Sequence, residues 1–155
     1  MAQNKISVTD RSLLIALQSN PELSINDLAD LVNMSHSACW KRIKKLETEG
    51  FIKGKAILLN QKSLGLNVTV IIQVTLETNI REAIDAFEQS LHAHPQIVLC
   101  YSMGGQSDYI MKVVERSIES YETFLREKLA NLPYVASLNS NFTLRAVKNT
   151  TSLPI

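Results

Sequence analysis

The stretch S-H-S-A-C-W-K-R-I-K-K-L-E-T-E-G, Ser35 to Gly50, decides how the rest of this chain is read. Wound as an α-helix at about 100° per residue, it sets Cys39, Ile43 and Leu46 on one stripe, the spacing of a buried face. Ser37, Lys41, Lys44 and Thr48 fall on the opposite stripe, with Lys45 and Ala38 beside them. Ser35 suits the N-cap, since its hydroxyl can accept from a free first-turn amide, and Gly50 suits a left-handed stop. One side is apolar and the other is basic and hydrogen-bonding, the shape and charge of a helix for a DNA major groove. A basic outer face is also how solvated surface looks, so the neighbouring segments must decide.

Working outward, Thr9 or Asp10 is expected to cap a first helix that runs to about Ser19 and turns Leu13, Leu14 and Leu17 inward. Asn20-Pro21 breaks it. Ser24-Ile-Asn-Asp27 resembles a capping box and opens a short second helix with Ile25, Leu28, Ala29 and Val32 inward. Asn33-Met34 is a tight turn. Three helices, the last two short and closely joined, make a helix-turn-helix. Phe51-Ile52 and Ala56 to Leu59 read as strands around Lys53-Gly54-Lys55, a β-hairpin wing carrying two lysines. The first domain is therefore placed at 1–60, with a polar, glycine-containing linker to about 67.

The second half alternates strand and helix signals. Strands are expected at 68–77, 96–103, 108–114 and 135–147, and helices at 80–92 and 117–131, with Gly104-Gly105-Gln106-Ser107 as a turn. The order β-α-β-β-α-β is the split pattern of a ferredoxin-like sandwich over 68–155, so the fold class is α+β. Val70, Ile72 and their alternate neighbours are expected to leave apolar side chains on both sheet faces. One face is then open to a second copy.

The totals exclude several classes. The 155 residues, 45% of them hydrophobic and 20% charged, are a globular composition rather than a disordered one. No apolar run approaches the roughly 20 residues of a membrane span, and Met1 to Lys5 lacks a signal-peptide core, so a cytoplasmic protein with no membrane partner is expected. Cys39 and Cys100 form no CxxC and read as buried free thiols. The net charge of +1 says little, but residues 1–60 hold eight Lys/Arg against six Asp/Glu, while the remainder holds eight against nine. Positive charge concentrated at 41–55 is how a nucleic-acid footprint looks on a near-neutral chain. Catalytic and metal motifs are absent: His92-x-His94 has no clustered ligands, Gly104-Gly105 is no phosphate loop, and there is no nucleophile elbow. No enzyme, cofactor or metal is expected.

Asp10-x-x-Leu13-Leu14-x-x-Leu17, Leu28-Ala29 and Ser35-x-x-x-Cys39-Trp40-x-Arg42-Ile43-x-x-Leu46-Glu47-x-x-Gly50-x-Ile52-x-Gly54 resemble the Lrp/AsnC family of feast/famine transcription regulators. Tyr101-x-x-x-Gly105-x-x-Asp108-Tyr109 looks like the GxxD turn of that family's effector domain. The ending Thr150 to Ile155, with Cys39 to Arg42, is similar to a branch whose members respond to amino acids and control amino-acid catabolism. One departure is Lys55, where many relatives carry an aromatic. The resemblance implies a homodimer built through the second domain, often assembled into octamers. It also implies an amino-acid effector held between dimers near the GxxD turn.

Candidate residues follow. Ser35, Ser37, Lys41, Lys44 and Lys45 are assigned to double-stranded DNA, with Lys53 and Lys55 on phosphates. His36 is read equally as a phosphate contact or a capping aid. Arg42, at the border of the stripe, is read as a structural partner of an acid near Glu47 or the wing, with a phosphate contact as the alternative. Trp40 is read as packed. By their residues alone Gly104, Gly105 and Asp108 are a tight turn. With the resemblance, Gly104, Gly105, Gln106, Ser107 and Asp108 become the effector site, where exposed amides could hold a carboxylate and an acid an ammonium. Ser137, Asn139 and Asn141 are weaker candidates. The competing reading is a small-molecule-binding ferredoxin-like domain or enzyme with a helical protein-interaction head.

Overall fold

The computed structural model describes residues 6–155, so the polar opening Met1 to Lys5 lies outside the described residues. Contacts divide the chain into two compact units. One is the segment ending at Leu58 together with Lys148–Ile155, and the other is Leu59–Val147. The return of residues 148–155 to the first unit differs from the sequence boundary, which kept them with the second domain.

The first unit holds α1 (Val8–Ser19), α2 (Ile25–Leu31) and α3 (His36–Thr48). Leu13, Leu14, Leu28, Ala29, Cys39, Ile43 and Leu46 form its core. The cap of α1 is Ser7, not Thr9 or Asp10: the Asp10 amide donates to Ser7 Oγ at 3.1 Å. Asp10 is thereby the third helical residue, where its carboxylate accepts from Ser7 Oγ at 2.6 Å. Ser24 and Asp27 close a reciprocal capping box on α2. Asn33 takes a left-handed φ of 52° at the turn, which its short polar side chain tolerates. Gly50 follows α3 with φ 78°, and the Phe51 amide then donates back to the Leu46 carbonyl at 2.9 Å. That is a left-handed C-terminal stop, with Phe51 and Ile52 packed on the core.

The expected wing hairpin does not form. Residues 51–60 carry no strand, and Ile57, Leu58 and Leu59 are 89%, 75% and 72% exposed. A lone two-stranded ribbon with no face to pack on is marginal in water, and none of the described residues covers Ile57, Leu58 or Leu59 here.

The second unit is a four-stranded antiparallel sheet in the order β2-β3-β1-β4. Its elements are β1 (Val68–Leu76), α4 (Arg81–Leu91), β2 (Ile97–Ser102), β3 (Tyr109–Glu115), α5 (Ile118–Glu127) and β4 (Val135–Phe142). This is the βαββαβ order read from the sequence. Val70, Ile72, Val74, Leu76, Met111 and Val113 pack against Phe87, Tyr121, Phe124 and Leu129 of the helical layer. Val70 and Ile72 therefore share the inner face, because residues two apart in a strand point the same way. The register puts Ile71, Leu99, Tyr101, Ile110 and Val114 on the other face, beside the polar Gln73 and Asn139. Strand β4 stops at Phe142 instead of Val147: Phe142 pairs with Val70, and β1 has only two residues left beyond it.

Candidate functional site

Helix α3 presents its polar side as the phase calculation requires. Cys39, Ile43 and Leu46 are buried, while Ser35, His36, Ser37, Lys41, Lys44 and Lys45 are exposed. Ser35 Oγ accepts from the Ala38 amide at 3.3 Å, which fixes where the helix begins. The lysines are not equivalent. Lys44 reaches Glu47 at 2.7 Å and Lys45 reaches Glu49 at 3.6 Å, whereas Lys41 has no ion pair among the described residues. Exposed pairs of this kind contribute little and exchange easily for a phosphate. Lys53 and Lys55 are exposed but lie on irregular chain, not on a hairpin tip. Burial pushes the Cys39 thiol up.

Arg42 is held by a partner the sequence reading did not name. Its guanidinium donates Nε to Asp10 Oδ1, Nη2 to Asp10 Oδ2 at 3.0 Å and Nη2 to Ser7 Oγ at 2.8 Å. The fork ties the middle of α3 to the first turn of α1, so neither Glu47 nor a wing acid is involved. The Arg42 hydrogen bond is the main cause that holds the Asp10 carboxyl below its ordinary range. Trp40 is not packed as expected. It is 48% exposed, at the border of the basic stripe.

The turn between β2 and β3 keeps Gly104, Gly105 and Gln106 exposed and Ser107 and Asp108 half-buried. Neither glycine has a left-handed φ, and a Cβ built on either meets nothing within 4 Å. The turn itself does not require glycine at either position. Asp108 does have a structural task, since Oδ2 accepts from the Leu76 amide at 2.8 Å and its own amide donates to Val74 O at 2.9 Å. The first bond satisfies β1 where its pairing with β4 slips between Thr75 and Leu76. Oδ1 has no hydrogen-bond partner among the described residues and is left for a ligand. Ser137 pairs across to Thr75 at this end of the sheet, but two strands from β3, roughly 10 Å. Asn139 and Asn141 run further from the turn along β4, so the structure does not bring them to it.

Beside the turn, between α4 and β2, lies a hollow of about 550 Å³ whose wall includes Glu88, His92, His94, Cys100, Ser102 and Tyr109. Ser102 and Tyr109 flank the turn in sequence, and Tyr109 Oη donates to Glu88 Oε1 at 2.8 Å. Burial, reinforced by Glu88, pushes the Tyr109 phenol up to about 12 and the Cys100 thiol up to about 11. Cys100 is half-buried rather than buried. Periodicity gave no signal for this hollow, because its wall is assembled from a helix and two strands. His94 packs edge-on against Phe124 at 5.6 Å, and no metal-binding cluster of His, Cys, Asp and Glu occurs among the described residues. Among these residues, too, no helix is long and apolar enough to cross a membrane.

Two family models match the chain: a winged helix-turn-helix DNA-binding model over residues 6–53 and an Lrp/AsnC ligand binding domain model over residues 69–153. The DNA-binding transcriptional activator DecR of Escherichia coli K12 is 33% identical over 146 residues, which cover 94% of this chain and 96% of that protein. The transcriptional regulator AzlB of Bacillus subtilis is 32% identical over 147 residues, covering 95% and 94%. Among solved structures, a Neisseria meningitidis transcriptional regulator in complex with L-Met superposes with a TM-score of 0.91 at 29% identity, covering 97% of each chain.

Proposed function

The chain belongs to the Lrp/AsnC family of DNA-binding transcription regulators and is not an enzyme, and from that premise we propose how its two units divide the work. The first unit lays α3 in the major groove. Ser37 and Lys41 lie nearest the base edges, Lys44 and Lys45 exchange their glutamates for DNA, and Ser35, His36, Lys53 and Lys55 reach backbone phosphates. Trp40, half-exposed at the border of the stripe, joins this face, while Arg42 positions the helix from behind. The observation that carries the reading is the split of α3 into a buried Cys39-Ile43-Leu46 stripe and an exposed lysine stripe.

The second unit binds a small effector, and an amino acid is the class proposed. The relative solved with L-Met is similar over nearly its whole length. The glycines at 104 and 105 supply bare backbone that neither conformation nor packing of this chain requires. Gly104, Gly105, Gln106 and Ser107 offer donors to a carboxylate, the free oxygen of Asp108 offers an acceptor to an ammonium, and the adjacent hollow has room for the effector's side chain. The apolar part of the outer sheet face supports a homodimer; octamers as the larger assembly and the cytoplasm as the location belong to the same proposal. The effector then acts by binding one arrangement of copies better than another.

The test is the full chain with Lys41→Glu and Lys44→Glu, measured for duplex binding across a salt series. Duplex affinity should be lost while amino-acid binding, read by calorimetry, is kept. Undiminished DNA affinity would remove α3 from the interface.

A further inference from the structure

The last residues of the chain belong to the DNA-binding unit, and they do so through one side chain. The Leu153 amide donates to Gln18 Oε1 at 2.6 Å, and Gln18 Nε2 donates back to Leu153 O at 3.4 Å. Gln18 sits in the last turn of α1, so 135 residues of sequence separate the two partners. A carboxamide carries one acceptor and one donor side by side, as a peptide group does. It can therefore read both backbone groups of a single extended residue.

The sequence around Leu153 is built to present those two groups. A residue before proline is pushed into extended backbone, and Pro154 does this to Leu153. Proline also fixes φ near the value of an inverse γ-turn, and the Ile155 amide donates to Leu153 O at 3.0 Å, two residues back. On the other side the Ser152 amide donates to Thr150 Oγ1 at 3.1 Å. Leu153 itself is 69% exposed, so the tail meets α1 through its backbone groups rather than by burying this side chain.

We propose that Ser152–Ile155 form a preshaped hook whose receptor is Gln18 on α1, so that the DNA-binding unit is completed by the chain's own C-terminal end. Two chain segments then tie this unit to the second one, the linker after Leu58 and the segment before Lys148.

Hydrogen exchange in two variants of the full-length protein tests this. Gln18 is a surface side chain outside the core, so Gln18→Ala folds. It should speed hydrogen exchange at the Leu153 amide about tenfold, as expected for losing two hydrogen bonds of ordinary net strength. Pro154→Ala should act in the same direction with a smaller effect, by relaxing the hook without touching the receptor. Equal exchange at Leu153 in parent and Gln18→Ala overturns the receptor. Protection that rises with protein concentration would place the tail of a second copy at Gln18 and overturn the assignment to the chain's own end.

Discussion

Replacing Arg42 should separate a residue that holds the recognition helix from one that touches DNA. The guanidinium makes three donations, two to Asp10 and one to Ser7. Charge-assisted bonds of this kind contribute more than neutral ones, but Arg42 is 36% exposed against 16% for Asp10, so solvent screens part of the gain. Between the value of an exposed pair and that of a shielded fork, the bridge contributes about 1–2 kcal/mol to the first unit. With a urea dependence of about 1 kcal/mol per molar for a unit this small, Arg42→Ala should lower the midpoint by about 1–2 M. Trp40 fluorescence follows the transition in the right unit. A double-mutant cycle with Asp10→Asn should return about 1 kcal/mol of coupling. The pH dependence has a defined sign. The folded Asp10 carboxyl lies below its ordinary value of 3.8, so the bridge's contribution is complete above that value and is lost as pH falls through the folded one. A coupling indistinguishable from zero would refute the positioning role. So would an Arg42→Ala variant of undiminished stability whose salt slope for duplex binding drops by about one phosphate contact.

Two further outcomes are expected. Gly105→Ala adds a methyl to open space at a position with no left-handed φ, so thermal stability should stay within about 0.5 kcal/mol of the parent while amino-acid binding weakens. Unweakened binding isotherms would return the turn to a purely structural role. Tyr109, pushed up to about 12, should keep its phenol neutral in the folded protein well past the ordinary tyrosine range. Its contribution is complete below the ordinary value near pH 10 and is lost as pH rises toward 12, so alkaline unfolding should become shallower in Tyr109→Phe. Identical alkaline profiles would remove the Glu88 bond from the account.

How much of this was legible in the sequence depended on how far apart the interacting residues are. Ser24 with Asp27, Ser35 with Ala38, and the left-handed Gly50 are contacts within a few residues. So is the Cys39-Ile43-Leu46 stripe of α3. Local propensity and periodicity express such signals directly, and the helix order and the βαββαβ order followed from them. The hairpin expected at the wing rests on the same kind of signal, and this structure shows no strand there. Residues 51–59 have strand composition, but a strand also needs a partner, and local signals do not supply one.

Tertiary structure alone decided the rest. Arg42 meets Asp10 across 32 positions, Leu76 meets Asp108 across 32, and Gln18 meets Leu153 across 135. No periodicity encodes such pairs, because each depends on where two separate elements come to lie. The phase of α3 placed Lys41, Lys44 and Lys45 outward from the sequence by itself. That Arg42 is withdrawn from that face by a carboxylate on α1, and that Trp40 is left on it, followed only once the helices had packed.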